Sequence, residues 1–271
     1  MQQEQSQQSA GTEMTSGEPP SKPGILFLVA VPIGNVDDLT LRAIRILREA
    51  DFIASEDPGK TRQLLSHHGI DATLISYGPT NIEEKAAILI DRLHRGAQIA
   101  LVSDCGSPVI ADPGALLVAS AHAQGIQVMS VPGPSALTAA VAAAGLPDAG
   151  FVFLGQLPET RGGMRRRLSI HPIGTVSAVA FCTGTSLALA LDTLAVVAPR
   201  CHVTLACDLT KPNDRIMQGT VFQIRRALKN LPAAQDITLI LTGKRRRMVR
   251  MGRKKSAPPA QSLSSRRIST R

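Results

Sequence analysis

Five apolar runs, each closed by a turn bearing Gly, Pro or Asp and followed by a helical pattern, recur about every 20–30 residues. The runs are Ile25–Val31, Asp51–Ser55, Ala72–Ser76, Ala97–Val102 and Ile126–Val131. Helical patterns follow at 38–49, 61–68, 83–94, 115–124 and up to Ala144. In the first of these, Leu39, Ile44 and Leu47 stand opposite Arg42, Arg45 and Arg48. Strands that alternate with helices at this spacing build a mostly parallel sheet. Ligands of such sheets bind beyond the carboxyl ends of the strands, so the turns there are the candidate site.

A second block begins after the linker-like segment Leu146–Gly150. It predicts strands at Phe151–Leu154, Val176–Cys182, His202–Cys207, Arg215–Gly219 and Ile237–Leu241, with helices at 186–197 and 221–229. Arg161–Ser169 is a basic segment between the first two. The expected organisation is a disordered tail 1–24, an N-terminal α/β domain 25–146, a smaller mixed α/β C-terminal domain 150–243 and a basic disordered tail 244–271. The core must be aliphatic, because the chain has one Tyr and no Trp.

Charge is distributed unevenly. Of 30 Lys and Arg residues, eleven lie in 244–271, where there is no Asp or Glu. Residues 25–243 hold 18 basic and 18 acidic residues and are neutral. A basic tail of this kind attracts polyanions, most often nucleic acid, or else serves only as a solvated, solubilising end. No apolar run is long enough for a membrane span, and Met1–Lys22 lacks the apolar stretch of a signal peptide. A cytoplasmic protein with no membrane partner is expected. The four cysteines form no C-x-x-C pair, and Cys201, His202 and Cys207 read as buried side chains rather than metal ligands.

Familiar nucleotide and hydrolase motifs are missing. Gly34 stands alone after the first strand, where a dinucleotide fold needs three glycines. Gly59-Lys60-Thr61 lacks the earlier glycine of a phosphate loop, since Ala54 is there, and Glu56 and Asp57 would repel phosphate. No nucleophile elbow or H-E-x-x-H occurs. His67-His68 lacks a third ligand.

Three turns remain: Pro32–Asn35, Ser103–Pro108 and Pro132–Ala136. Their glycines, Gly34, Gly106 and Gly133, let backbone approach a ligand. Asp104 adds a carboxylate. Pro134-Ser135-Ala136 opens a helix whose N-terminus suits a ligand carboxylate. Asp112 and Pro113 are expected to cap and begin the helix after the second turn. The set suits a flat, cationic or zwitterionic ligand.

The segments Leu28–Asn35, Ser55-Glu56-Asp57, Leu101–Gly114 and Val131–Gly145 together resemble the tetrapyrrole methylase superfamily, whose pattern is P-I-G-N, A-E-D, S-D-x-G-x-P…D-P-G and P-G-P-x-A. Within it they are most similar to enzymes that methylate the 2′-hydroxyl of a cytidine in small-subunit ribosomal RNA. The resemblance covers roughly residues 25–243. It implies a two-domain fold, a homodimer, S-adenosylmethionine as methyl donor and no metal. Carried over by position, the donor would lie along Pro32, Gly34, Ser103, Asp104, Cys105, Gly106, Ser107, Pro132, Gly133, Ser135 and Ala136. Candidate catalytic residues are Asp104, Glu56 and Lys211, the last in the nearly kept segment Asp208-Leu209-Thr210-Lys211. The implied partner is rRNA in the small ribosomal subunit. Other segments depart from the pattern: Pro58-Gly59-Lys60 replaces Thr-Arg-His, and Ala180–Leu187 lacks the usual Glu and Arg. Two alternatives remain at this stage, a small-molecule (tetrapyrrole-like) methyltransferase and a non-catalytic RNA-binding relative.

Overall fold

The computed structural model describes residues 22–146, 150–170, 176–229 and 233–243. The expected tails, apart from residues 22–24, and the linker residues 147–149 lie outside the described residues. All five expected strands of the first block form: β1 (Ile25–Val29), β2 (Phe52–Ser55), β3 (Leu74–Ser76), β4 (Ile99–Val102) and β5 (Gln127–Val131). They pair in parallel in the order β3-β2-β4-β1-β5. Helices α1 (Leu41–Glu49) and α2 (Pro58–His67) pack on one face, α3 (Ile82–His94) and α4 (Ala115–Ala123) on the other. Alternate residues of β4 therefore enter different cores. Ile99 and Leu101 join the α3/α4 side, and Ala100 and Val102 the α1/α2 side. That is why the run is apolar throughout rather than alternating.

The start of α1 lies three residues after the expected 38, α2 starts earlier than expected, and the cap of α4 differs. α2 begins at Pro58, three residues before Thr61, because the Asp57 carboxylate accepts from the Gly59 and Lys60 N–H groups (2.9 and 3.2 Å) and Pro58 suits the first turn. At α4 the expected cap is wrong: Gly114, at φ 137°, is the cap residue and no side chain bonds the first turn. Its missing Cβ is needed, since one there would lie 2.8 Å from Val109 Cγ2 and 2.9 Å from Leu101 Cδ2. Asp112 is thereby left for another role.

The second sheet contains β6 (Phe151–Gln156), β7 (Ser177–Cys182), β8 (His202–Cys207), β9 (Arg215–Thr220) and β10 (Ile237–Thr242), in the order β6-β7-β10-β8-β9. Only the β6–β7 pair is parallel. The basic segment forms helix α6 (Arg161–Ile170), which covers one face with α7 (Gly184–Val197) and α8 (Val221–Leu228). Capping boxes at Thr183/Ser186 and Thr220/Gln223 set where α7 and α8 begin. α7 buries Leu187, Leu191 and Leu194, at about 1.5–3 kcal/mol each. The opposite face packs on α5 (Ala136–Ala144), whose Ala140 and Ala144 touch Val179, Ala206 and Ile240. α5 thus leaves the first sheet and covers the second, and its small residues allow close approach. None of the described helices is long and apolar enough to cross a membrane.

Candidate functional site

The three expected turns meet. Ala30 N donates to Val131 O (3.2 Å), and Val31 and Gly106 exchange backbone hydrogen bonds of 2.9 and 3.0 Å. Gly106 sits at φ 77° under the Ile33 side chain and the Pro134 carbonyl. The Ser103 hydroxyl donates to the Cys105 and Gly106 carbonyls (3.2 and 3.3 Å), which closes the second turn on itself. Gly133 serves this assembly: a Cβ there would be 3.2 Å from Ala30 Cβ and 3.4 Å from Ala30 O. Gly34 faces the second half instead, where a Cβ would lie 2.6 Å from Lys211 Cγ and 2.7 Å from Leu209 O.

A cleft of about 230 Å³ lies between this assembly and the second sheet. Of the expected donor residues, Cys105, Gly106, Ser107, Ser135 and Ala136 line it. Pro32, Gly34, Ser103, Asp104, Pro132 and Gly133 do not, and instead build the turns behind. The first half also contributes Ile33, Ile110, Ala111 and Asp112. The facing wall comprises Phe181–Thr183 at the end of β7, Ala206 and Leu209 near the end of β8, and Gln235–Thr238 at the start of β10, with Gln156. Sequence reasoning passed over most of this wall. β10 runs antiparallel, so its amino end reaches the cleft and a rule about carboxyl ends overlooks Asp236. The signal for Asp112 was present in D-P-G but was read as a cap.

Charges are concentrated at the cleft mouth. Asp104 Oδ1 accepts from Asp57 N (3.1 Å) and Oδ2 pairs with Lys60 Nζ at 2.6 Å. This pairing holds Lys60 above its usual range. Glu56 is raised by burial first and then by the negative Asp104. Asp112 is pushed up to about 6, by burial first and then by Glu56, against a hydrogen bond from Ser103. Across the cleft, Lys211 pairs with Asp236 and is raised by that bond. Buried Asp208 accepts from the Gln235 and Asp236 N–H groups (3.0 and 3.1 Å). The Asp208–Lys211 turn is also tied to the first half, since Asn35 N donates to Thr210 Oγ1 at 3.0 Å. The expected catalytic trio is therefore divided: Glu56 and Asp104 lie with Lys60 on one side, and Lys211 with Asp236 on the other.

Non-glycine residues at positive φ flank the cleft from both sides: Ala111 (66°) in one wall with Val109 (74°) just before it in the chain, Asp208 (51°) and Thr210 (65°) beside the other. Such conformations cost roughly 1–3 kcal/mol each and gather at functional sites. Cys182, Cys201 and Cys207 are buried thiols. Cys201 immediately precedes β8 and Cys207 ends it, so the extended strand holds them too far apart to share a metal.

Residues 26–225 match the model of the tetrapyrrole (corrin/porphyrin) methylases. The chain is 39% identical over 220 residues to "ribosomal RNA small subunit methyltransferase I" of Halalkalibacterium halodurans, covering 81% of this chain and 76% of that protein. It is 38% identical over 223 residues to the Thermotoga maritima protein of the same name, covering 82% and 99%. Among solved structures it is similar to a cobalamin biosynthetic enzyme, cobalt precorrin-4 methyltransferase (TM-score 0.60, 18% identity, 80% of this chain and 94% of that one). It is also similar to a diphthine synthase (TM-score 0.60, 16% identity, 81% and 90%). At such identities these structures speak for the fold alone.

Proposed function

Because the chain belongs to the tetrapyrrole (corrin/porphyrin) methylase family, we propose that it is an S-adenosylmethionine-dependent methyltransferase of small-subunit rRNA, acting on the 2′-hydroxyl of a cytidine ribose. The observation that carries this reading is 38–39% identity, over most of the chain, to two proteins named as small-subunit rRNA methyltransferases. The homodimer implied by the family resemblance and the cytoplasmic location expected from the sequence belong to the same proposal.

The cleft fits such a donor. Asp112 and Asp236 place carboxylates in a wall otherwise made of small, apolar and neutral polar groups, which complements a cationic ligand. Gly106, Ser107, Ser135 and Ala136 leave backbone within reach, and the first turn of α5 offers N–H groups to a carboxylate. The donor, when bound, supplies a methyl group activated by a sulfonium. Cys105, Gly106, Ser107, Ser135 and Ala136 would hold it, while Pro32, Gly34, Ser103, Pro132 and Gly133 position those turns.

The hydroxyl of the acceptor must lose a proton as its oxygen attacks. Both Asp104 oxygens are engaged, and Lys211 carries a proton held by Asp236. Asp112 lines the cleft, and its carboxyl, raised to about 6, is ionised at neutral pH and more basic than an ordinary aspartate. We assign it the proton. Glu56 keeps Asp112 basic by its negative charge, and Asp104 with Lys60 ties the second turn to the start of α2. A positioned base is worth about 10²–10⁴-fold, and alignment of the reacting atoms supplies more.

The test is tritiated-methyl transfer from S-adenosylmethionine to small ribosomal subunits, naked rRNA and a tetrapyrrole side by side. Label in a single cytidine of small-subunit RNA, resistant to alkaline cleavage, is expected. Label in the tetrapyrrole alone, or donor binding without transfer to any substrate, overturns the proposal.

A further inference from the structure

A second concavity, a groove of about 810 Å³, lies between the end of α7 and α8, on the face of the second sheet opposite α5. Its walls are Ala195, Pro199, Phe222, Arg225, Arg226 and Lys229, with Val221 as its buried floor. No acidic side chain lines it. Among the described residues Arg225 alone of the three cations has a carboxylate partner, Asp192 at 3.0 Å. Phe222 is 75% exposed, although the chain has only six Phe, one Tyr and no Trp. A helix that buries Val221 and Ile224 while leaving a phenyl ring in water forgoes substantial apolar burial.

Strand register adds an independent observation. Thr242 at the end of β10 pairs with His202, and His202 pairs with Thr220, the N-cap of α8. Gly243, the last described residue, therefore lies at the end of the sheet where α8 and the groove begin, and the sequence that follows it has eleven cations and no acid. Ile237, at the other end of β10, lines the cleft. A six-residue strand, about 17–20 Å, separates the two ends.

We propose that the α7–α8 groove is a docking site for RNA remote from the cleft, with Arg225, Arg226 and Lys229 on phosphates and Phe222 stacked on an unpaired base, at the same end of the sheet as Thr242. The inference rests on the rRNA reading above and deepens it: the substrate is a folded RNA large enough to engage both places, since a small molecule in the cleft reaches none of the groove. Charge selects the occupant. A second copy using the same patch would face arginine with arginine, whereas a polyanion meets one carboxylate, Asp192, which Arg225 already neutralises. Exposed aromatics beside cations are what single-stranded RNA uses, the ring for any base and the cations for the backbone.

The test uses the full chain and small-subunit rRNA. The double variant Arg226→Glu/Lys229→Glu changes two exposed side chains and leaves the core intact. It should weaken RNA binding by at least about tenfold and lower the salt slope by about 1.4–1.8. Phe222→Ala should weaken binding by about 5- to 150-fold with the slope unchanged. Both should keep the donor affinity, measured by calorimetry, and the thermal midpoint of the parent. Variants that bind and methylate rRNA like the parent overturn this inference and leave the rRNA reading standing. A parent protein that binds no RNA overturns both. Sedimentation showing that the substitutions dissociate a self-assembled form, with RNA affinity unchanged, assigns the groove to a second copy and also overturns it.

Discussion

Asp104 and Asp112 belong to one loop, yet only one of them is available for chemistry. Asp104 spends its oxygens on the Asp57 N–H and Lys60, while Asp112 lines the cleft. Asp112→Asn should reduce methyl transfer about 10²–10⁴-fold at saturating donor, with a much smaller loss of donor affinity from the missing carboxylate, as read by single-turnover rates and calorimetry. The parent rate should rise with pH through about 6 and then level off, because the carboxyl accepts a proton only when ionised, and the variant should lack that limb. The same residue leaves a stability signature. Its folded pKa lies above its unfolded one, so the stabilisation it confers is complete below about pH 4 and is lost as pH rises through 6. Asp112→Asn should therefore melt higher than the parent at pH 7.5 and no higher at pH 4. A shift of this size is worth at most about 3 kcal/mol, reduced by solvent screening. Equal midpoints at both pH values would remove the basis for its raised pKa.

The elements that shape the cleft are held by turns in which glycine serves close packing more than ligand approach. Gly34→Ala would put a methyl 2.6 Å from Lys211 Cγ and 2.7 Å from Leu209 O, so the Asp208–Lys211 turn must withdraw. A loss of about 1–3 kcal/mol in denaturant melts, with weaker donor binding, is expected; unchanged stability and affinity would show that the two halves do not depend on this contact. Gly133→Val should also abolish donor binding, because its branches press on Ala30 and Thr40 and spread the turns; normal affinity by calorimetry would refute this. The turns were legible from their residues, but their role was not. A glycine that admits a ligand and one that admits a neighbouring backbone look alike in sequence. The same ambiguity misled the reading of α4, where Asp112-Pro113 resembles a cap and Gly114 ends up in the cap position for lack of room.

Over the whole molecule, charge separates a neutral stretch, residues 25–243, from the basic residues 244–271. Removing residues 244–271 should weaken binding to rRNA and flatten its dependence on salt, by about 0.7–0.9 in slope for each lost phosphate contact, with donor affinity intact. An unchanged slope would show that the tail makes no phosphate contact. Charge can attract RNA without regard to sequence; choice of nucleotide has to come from the cleft.

Most strands and helices could be assigned from periodicity and turn residues, because a pleated strand or an amphipathic helix depends on neighbours a few residues away. The first sheet was legible for that reason, as were the three turns at its edge. Only the tertiary structure could bring Asn35 to Thr210, 175 residues on, or turn the amino end of β10 so that Asp236 enters the cleft. Those juxtapositions depend on how two sheets close over α5, and the packing of one surface on another leaves no period in the chain to read.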